Sequence, residues 1–169
     1  IKLVFYEIKE VLPKLKPGNV CAVIGGGDAA FDYALNLAYN GTAVEIYFRS
    51  KKPKCLPLLE DRAKKCNAIG LRSSFIPIAI NKREGKLEIK FRSTGGTTTH
   101  TSKPDYMLIA CGRNSNNGLL PKDLEKNNIP GLYIAGDVRT GKFRQIGIAV
   151  GEGTIAAMNV ATYLRGLKT

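Results

Sequence analysis

The sequence lacks the cysteine pairs and histidine clusters on which metal sites and dithiol chemistry depend. Its four cysteines form no C-x-x-C pair, and it has a single histidine, His100. Neither residue type has the spacing of a zinc site. We therefore expect no metal site and interpret the cysteines as reduced and structural. Cys21 and Cys111 fall in apolar runs, where a thiol packs as a small buried hydrophobe. A Cys55–Cys66 disulfide stays an alternative that nothing in the sequence requires.

Long apolar runs are also missing. No stretch approaches the roughly 18 apolar residues that cross a bilayer, and no charged-then-apolar signal segment opens the chain. These absences favour a cytoplasmic protein with no membrane partner. The chain begins at Ile1, in the middle of an apolar pattern, which favours a piece of a longer polypeptide.

Acidic residues are scarce: 14 Asp and Glu stand against 26 Lys and Arg, for a formal net charge of +12. The basic residues are spread over several segments and form no single stripe with interleaved aromatics, which nucleic-acid binding would favour. We interpret most of them as a solvated surface that attracts anionic partners. No nucleic-acid partner is predicted, although a structural or nucleic-acid-binding protein stays an alternative on charge alone.

Apolar and glycine patterning predict an α/β fold. With 169 residues, 44% of them hydrophobic, the chain has enough apolar material for a packed core. Strand-like and helix-like patterns alternate in the first half: strand Val20–Ile24, a helix that ends before Gly41, strand Ala43–Phe48, helix Leu56–Asn67 and strand Leu71–Phe75. This order predicts a Rossmann-like, doubly wound parallel sheet with right-handed crossovers.

The second half predicts a β-meander, a return strand and a separate C-terminal part. Two alternating runs flank Gly85 and predict a hairpin, with a third strand in the threonine-rich stretch after it. Tyr106–Cys111 can return to the parallel sheet, and the polar segment after it is the domain boundary, which gives domains 1–112 and 113–169. One strand, Gly131–Ala135, and one long helix, Phe143–Leu164, cannot bury a sheet alone, so this part should dock on other structure.

A glycine motif lies between the first strand and the first helix. The motif G-x-G-x-x-A occupies Gly25, Gly26, Gly27, Asp28, Ala29 and Ala30. The first glycine allows a tight turn, the second admits a pyrophosphate to the backbone amides, and the small alanine lets helix and strand pack closely. The helix N-terminus adds free N–H groups and a positive dipole end. In this context a dinucleotide site is favoured over an accidental tight turn.

A basic segment follows the second strand, where an acidic residue would accept the ribose hydroxyls of NAD. Here the segment carries Arg49, Lys51 and Lys54, and the nearest carboxylate, Glu45, lies mid-strand. A guanidinium with flanking ammonium groups suits a phosphate dianion. The sequence therefore favours NADPH, with an exposed basic loop that binds nothing as the alternative.

These motifs resemble the thioredoxin reductase-like branch of the pyridine nucleotide-disulfide oxidoreductases. GGGDAAFDYAL is similar to the second glycine fingerprint of that branch, and FRSKKPK falls where those enzymes bind the 2′-phosphate of NADPH. PDYMLIACGR resembles the strand that closes their NADPH domain, with Cys111 in place of the usual threonine and Gly112 after it. The resemblance implies that both residues contact the nucleotide.

Residues 131–164 resemble the C-terminal flavin segment of the same branch. The resemblance implies that Asp137 bonds a ribityl hydroxyl, and that Arg144 and Gln145 lie against the flavin where the last helix begins. A helix N-terminus near the flavin would stabilise negative charge on it. Helix capping and surface solvation are the alternative roles. The implied flavin contacts are Gly136, Asp137, Arg144, Gln145, Ile146 and Ala149.

Two departures from the family pattern bear on function. The stretch 5–19, where thioredoxin reductases carry their C-x-x-C pair, contains no cysteine. The glycine fingerprint for the adenylate half of FAD is absent and would lie upstream of Ile1. The resemblance therefore implies the NADPH-binding part of an FAD-dependent oxidoreductase, homodimeric when intact, with an unidentified redox acceptor. No residue of this chain is an obvious acid, base or nucleophile, so no catalytic residue is predicted. The chain alone should bind nucleotide without turnover, because half a flavin pocket should not retain FAD. A ferredoxin–NADP reductase-like enzyme and a stand-alone NADPH-binding sensor are the alternatives.

Overall fold

The computed structural model of the chain describes residues 2–83, 85–116, 118, 129–139 and 144–167. These residues divide into two compact units, Ile1–Gly112 and Arg113–Thr169. Their functional assignment, nucleotide binding for the first and flavin contact for the second, stays a prediction.

The first unit contains eight strands and three α-helices among its described residues. In chain order these are β1 (Val4–Phe5), α1 (Ile8–Val11), β2 (Val20–Ile24), α2 (Asp28–Tyr39), β3 (Ala43–Phe48), α3 (Pro57–Lys65), β4 (Ile69–Ser73), β5 (Phe75–Arg83), β6 (Lys86–Ser93), β7 (Thr99–Ser102) and β8 (Tyr106–Ile109). A short 3-10 helix, Leu12–Lys14, follows α1.

Five strands form a parallel sheet in the order β1-β8-β2-β3-β4, which confirms the predicted Rossmann-like sheet. The return of β8 to a place beside β2 is also confirmed. The predicted meander exists as the antiparallel sheet β5-β6-β7. The third predicted strand begins and ends two residues earlier than expected, because Ser74 adopts a left-handed φ of 62° and separates β4 from β5.

Both faces of the parallel sheet are covered, so the first unit has a complete core of its own. On one face, helices α1, α2 and α3 pack against the sheet around the fully buried Phe31 and Leu37. On the other face lies the meander, where Tyr47 of β3 stacks on Phe91 of β6 with ring centroids 3.8 Å apart. These two layers hold the carboxyl ends of β2, β3 and β8 in fixed register.

The second unit contains a 3-10 helix, Gly136–Val138, and the long helix α4 (Ile146–Gly166). The long helix was predicted, but the predicted strand Gly131–Ala135 is wrong. This segment has no strand partner among the described residues, and Leu132 and Tyr133 are exposed. No residue of α4 is buried. Within the described ranges, no helix combines the length and the apolar character that crossing a bilayer requires.

Candidate nucleotide-binding site

The glycine loop connects β2 to α2 at the carboxyl ends of the parallel strands, where open α/β sheets bind ligands. Gly25 has a φ of 147°, and a Cβ on it would lie 2.3 Å from the carbonyl oxygen of Ala110, just after β8. Its N–H donates to the carbonyl of Tyr47 at 2.9 Å. Ala30 is fully buried behind this turn. Only glycine fits at this crossing of three strand ends.

The next two glycines have different surroundings. A Cβ on Gly26 would lie 2.9 Å from the Cβ of Phe48, so this glycine serves close packing against β3. A Cβ on Gly27 would meet nothing within 4 Å, and this residue is the N-cap of α2 without a side-chain capping bond. Among the described residues, the N–H groups of Asp28 and Ala29 in the first turn of α2 have no hydrogen-bond partner, and they lie beside open space, an arrangement that fits a phosphate.

The basic loop after β3 lies against the glycine loop. The N–H of Lys54 donates to the carbonyl of Gly26 at 2.6 Å. The side chains of Arg49, Lys51 and Lys54 are exposed, and none forms an ion pair with a carboxylate of the described residues. Their charges are therefore available to an anion at the mouth of the loop.

Glu45 does not neutralise this basic loop because it is engaged elsewhere. Its carboxylate accepts hydrogen bonds from the Tyr47 hydroxyl at 2.7 Å, the Ser102 hydroxyl at 3.0 Å and the Arg72 guanidinium at 2.9 Å. Burial by itself would raise the pKa of Glu45, but these bonds and the charge of Arg72 lower it below its usual value. Glu45 therefore links the parallel sheet to the meander, and these bonds engage the carboxylate that would otherwise be free to contact a nucleotide.

The cysteines behave differently from one another. All four are free thiols, so the alternative of a Cys55–Cys66 disulfide is wrong. Cys21 is buried as predicted, and burial raises the pKa of its thiol to about 12, with Asp105 adding to the effect. Cys111 was expected to be buried, but it lies beyond the end of β8 and is exposed. Its thiol approaches the Ile24 carbonyl at 3.4 Å, beside the glycine loop.

Gly112, which follows Cys111, has a φ of 97° and ends the first unit. The structure places both residues at the same sheet edge as the glycine loop, because the N–H of Ala110, just before them, donates to the carbonyl of Ile24 at 2.7 Å. The six residues of the glycine motif, the three basic side chains and this pair therefore share one edge of the first unit. Groups of three or more metal-binding side chains are not found among the described residues.

In the second unit, Asp137 lies in a turn that Gly136 makes possible with a φ of 76°. The N–H of Gly136 donates to Glu152 at 2.7 Å, and the guanidinium of Arg139 lies 3.1 Å from the same carboxylate. Asp137 is exposed, and its carboxylate has no hydrogen-bond partner among the described residues. The turn thus presents a free carboxylate, which suits a sugar-like hydroxyl.

Arg144 and Gln145 precede α4. Arg144 donates to the carbonyl of Arg113 and, at 3.2 Å, to the hydroxyl of Ser115, while its Nε is buried without a partner among the described residues. Gln145 is the N-cap of α4 and forms no side-chain capping bond. Ile146 is 86% exposed at the start of the helix. These groups leave a helix N-terminus open.

Ala149 and Glu152 face the glycine turn from α4. A Cβ on Gly136 would lie 3.6 Å from the Cβ of Ala149, an ordinary contact. Sequence reasoning missed Glu152, which holds Gly136 in place, and Ser115, which bonds Arg144 and the carbonyl of Asp137. A signal for Glu152 was present, because it is the only acidic residue of α4.

Sequence comparison relates the chain to curated reductases. It is 31% identical over 163 residues to ferredoxin–NADP reductase 2 of Listeria innocua, a match that covers 87% of this chain and 49% of the relative. A ferredoxin–NADP reductase of Lactobacillus delbrueckii subsp. bulgaricus is 27% identical over 159 residues, covering 85% of this chain and 51% of the relative. The chain therefore spans about half the length of the curated relatives it matches. No protein-family model matches.

Solved thioredoxin reductases are similar to this chain in fold. Thioredoxin reductase of Lactococcus lactis has a TM-score of 0.87 and 25% identity, covering 98% of this chain and 59% of that one. Thioredoxin reductase of T. acidophilum has a TM-score of 0.83 at 23% identity, covering 98% of this chain and 58% of that one. The second likeness speaks for the fold alone.

Proposed function

We propose that this chain, which is thioredoxin reductase-like in sequence and fold, binds NADPH through its first unit and supplies part of an FAD site through its second. The intact enzyme would be an NADPH-dependent FAD oxidoreductase. We place it in the cytoplasm and expect it to form a homodimer. Because the chain spans about half the length of its curated relatives, turnover is proposed for the intact enzyme only.

The observation that carries this proposal is that the basic loop lies against the glycine loop. The open first turn of α2 can hold a pyrophosphate, and Arg49, Lys51 and Lys54 lie beside it without an ion-pair partner among the residues that the structure describes. The 2.6 Å bond from the Lys54 N–H to the Gly26 carbonyl fixes the distance between the two. A 2′-phosphate needs such a cationic group at a set distance from the pyrophosphate, which favours NADPH over NADH.

The protein's contribution to the chemistry is binding and orientation. When bound, NADPH supplies a hydride and FAD passes the electrons to an acceptor. The helix N-terminus and the basic loop hold the dinucleotide, and the residues around Asp137 and Arg144 would hold the flavin. The Asp137 carboxylate and the buried Arg144 Nε, which have no hydrogen-bond partner in the described part of the chain, fit polar groups of such a ligand. We assign no catalytic residue to this chain.

The acceptor is proposed to be something other than a protein disulfide. Residues 5–19 contain no cysteine, and within the first unit the four free thiols form no C-x-x-C pair. The curated relatives at 31% and 27% identity are named ferredoxin–NADP reductases. These two observations favour a ferredoxin–NADP reductase-like activity over a thioredoxin reductase-like one.

Nucleotide titration tests the proposal on this chain. We expect binding of NADPH at least about tenfold tighter than binding of NADH, since a phosphate–guanidinium contact is worth on the order of 1.5–3 kcal/mol. Arg49→Ala should lose most of this preference, while Lys52→Ala, an exposed lysine of the same loop to which we give no role, should keep it. Tighter binding of NADH by the wild-type chain would overturn the proposal.

A second test concerns flavin. The chain as purified should be colourless and should not oxidise NADPH, because its second unit supplies only part of an FAD site. A yellow preparation that retains FAD through gel filtration would contradict this expectation.

A stand-alone NADPH-binding sensor is the second candidate function. It is favoured by the complete core of the first unit, which covers both faces of its sheet. A G-x-G-x-x-G fingerprint encoded upstream of Ile1 would exclude it, because that fingerprint binds the adenylate half of FAD.

A further inference from the structure

Asp28 occupies a place where a carboxylate is costly for nucleotide binding. It is the first residue of α2, directly after the open N-cap Gly27. A carboxylate here stabilises the positive end of the helix dipole, but it also repels the phosphate that the same helix end would bind. A residue with these opposed effects needs a compensating role, and the contacts of Asp28 show one.

The Asp28 carboxylate accepts a hydrogen bond from the backbone N–H of Leu56 at 2.7 Å, across 28 residues of sequence. Leu56 is the N-cap of α3 and marks the far end of the basic loop. Two residues earlier, the N–H of Lys54 donates to the Gly26 carbonyl. The N–H groups of Lys54 and Leu56 thus donate to two acceptors of the glycine motif, the Gly26 carbonyl and the Asp28 carboxylate.

The near end of the basic loop is held by the meander and by the residue that precedes it. The Arg49 carbonyl accepts a hydrogen bond from the Thr94 hydroxyl at 3.1 Å, and the Ser50 carbonyl accepts one from the Ser74 N–H at 3.1 Å. The end next to β3 would therefore keep its place without Asp28. The end with Lys54 depends on Asp28 and Gly26.

We propose that Asp28 is a positioning residue that sets the preference for NADPH over NADH by fixing the basic loop against the glycine loop. The inference rests on the proposed function. Long cationic side chains lose conformational freedom when they bind a phosphate, and a fixed backbone reduces that loss. Because NADH has no 2′-phosphate, release of the loop should weaken NADPH binding and leave NADH binding nearly unchanged.

The hydrogen bond can be deleted from either side. Asp28→Ala removes the acceptor, whereas Asp28→Asn keeps an acceptor oxygen and removes the charge. Leu56→Pro removes the donor, and the φ of −56° at Leu56 is one that proline adopts. Leu56 is 59% exposed, so its side chain contributes little packing.

The experiment is titration of the full chain and these variants with NADPH and with NADH. We expect Asp28→Ala and Leu56→Pro each to reduce the ratio of NADPH affinity to NADH affinity about tenfold, and the double variant to reduce this ratio no further, because the charge that Asp28→Ala removes acts on the pyrophosphate that both nucleotides share. Asp28→Asn should keep the preference, and both nucleotides should bind at least as tightly as to wild type. Circular dichroism spectra should match for all variants.

Three results would overturn the inference: equal weakening of both nucleotides in Asp28→Ala, additive effects in the double variant, or loss of the preference in Asp28→Asn. The outcome for wild type separates this inference from the proposed function. If the wild-type chain does not prefer NADPH, the proposed function fails and takes the inference with it. If wild type prefers NADPH and Asp28→Ala keeps that preference, only the role of Asp28 fails.

Discussion

The two units share one local arrangement, but the structure that packs against it differs between them. Each has a glycine turn followed by the open N-terminus of a helix, at Gly27 in the first unit and at Gln145 in the second. The first unit supports its turn with a core that covers both faces of a sheet. In the second unit α4 has no buried residue, and its exposed apolar side chains include Ile155, Met158 and Leu164.

This difference shows that the same turn-and-helix arrangement occurs both with and without an apolar core of its own. The first unit has what it needs to hold its loop, whereas the second keeps its turn in shape by a few polar bonds centred on Glu152. A large apolar surface on α4 is suited to burial against further structure. Among the described residues of the second unit, nothing therefore covers the apolar side chains of α4.

The largest expected contrast comes from truncating one apolar side chain in each unit. Phe31 of α2 is 0% exposed and Met158 of α4 is 66% exposed. Phe31→Ala should lower the free energy of unfolding of the first unit by about 3–5 kcal/mol, because it leaves a cavity. Met158→Ala should change the free energy of unfolding by less than about 0.5 kcal/mol. Urea unfolding followed by circular dichroism measures both, and equal effects would remove the contrast between the units.

A smaller effect separates fold from binding within the first unit. Gly25→Ala places a Cβ 2.3 Å from the Ala110 oxygen, at a φ of 147°, and should cost about 2–4 kcal/mol of stability. Gly27→Ala meets nothing within 4 Å, so it should fold normally and lose NADPH affinity, since its methyl group occupies the space for the phosphate. Thermal melts and nucleotide titration test the pair. A Gly27→Ala variant with unchanged NADPH affinity would locate the phosphate elsewhere.

The polar support of the second unit can be weakened without touching its helix. Glu152→Gln keeps one acceptor for the Gly136 N–H but removes the charge that binds Arg139. We expect a local cost of about 1 kcal/mol, seen as amide exchange at Gly136 about fivefold faster. Arg165→Gln, at the other end of α4, is the matched control. Unchanged exchange at Gly136 would mean that this turn is supported by other contacts.

The smallest effect is a pH dependence confined to the first unit. Hydrogen bonds from Tyr47, Arg72 and Ser102 outweigh burial and lower the pKa of Glu45 in the folded state. The carboxylate therefore contributes stability above its unfolded pKa of about 4.5, and this contribution is lost as pH falls through the lower folded pKa. Melting temperatures between pH 7 and pH 3 should fall less steeply for Glu45→Gln. If the melting temperatures of wild type and Glu45→Gln fall equally with pH, other groups cause the loss of stability in acid.

Local patterns predicted the parallel sheet well because each element carries its own boundary signal. Strand Ala43–Phe48 lies between a glycine and a basic segment, and its predicted bounds agree with the structure. The two-residue strand Val4–Phe5 was missed because its identity depends on pairing with β8, about a hundred residues away. The strand predicted at Gly131–Ala135 failed for the same reason, since an apolar run becomes a strand only where a partner exists.

The candidate site was predictable in its residue types but not in its connections. Sequence motifs located the glycines and the cations, because turn geometry and phosphate chemistry restrict the residue types there. The bonds from Lys54 to Gly26 and from Leu56 to Asp28 join segments that only the fold brings together. The exposure of Cys111 was missed because a strand's last residues in sequence can lie beyond its last hydrogen bond.

The close approach of Gly25 to Ala110 has a consequence for how the length of this chain can change. The glycine loop and the end of β8 share one register, so an insertion or deletion within residues 106–111 would push a carbonyl into the loop or withdraw it. Gly85, in the hairpin that joins β5 to β6, has no such constraint, because a Cβ on it would meet nothing within 4 Å. Length variation among descendants of this sequence should therefore collect in that hairpin and avoid the strand that returns to the sheet.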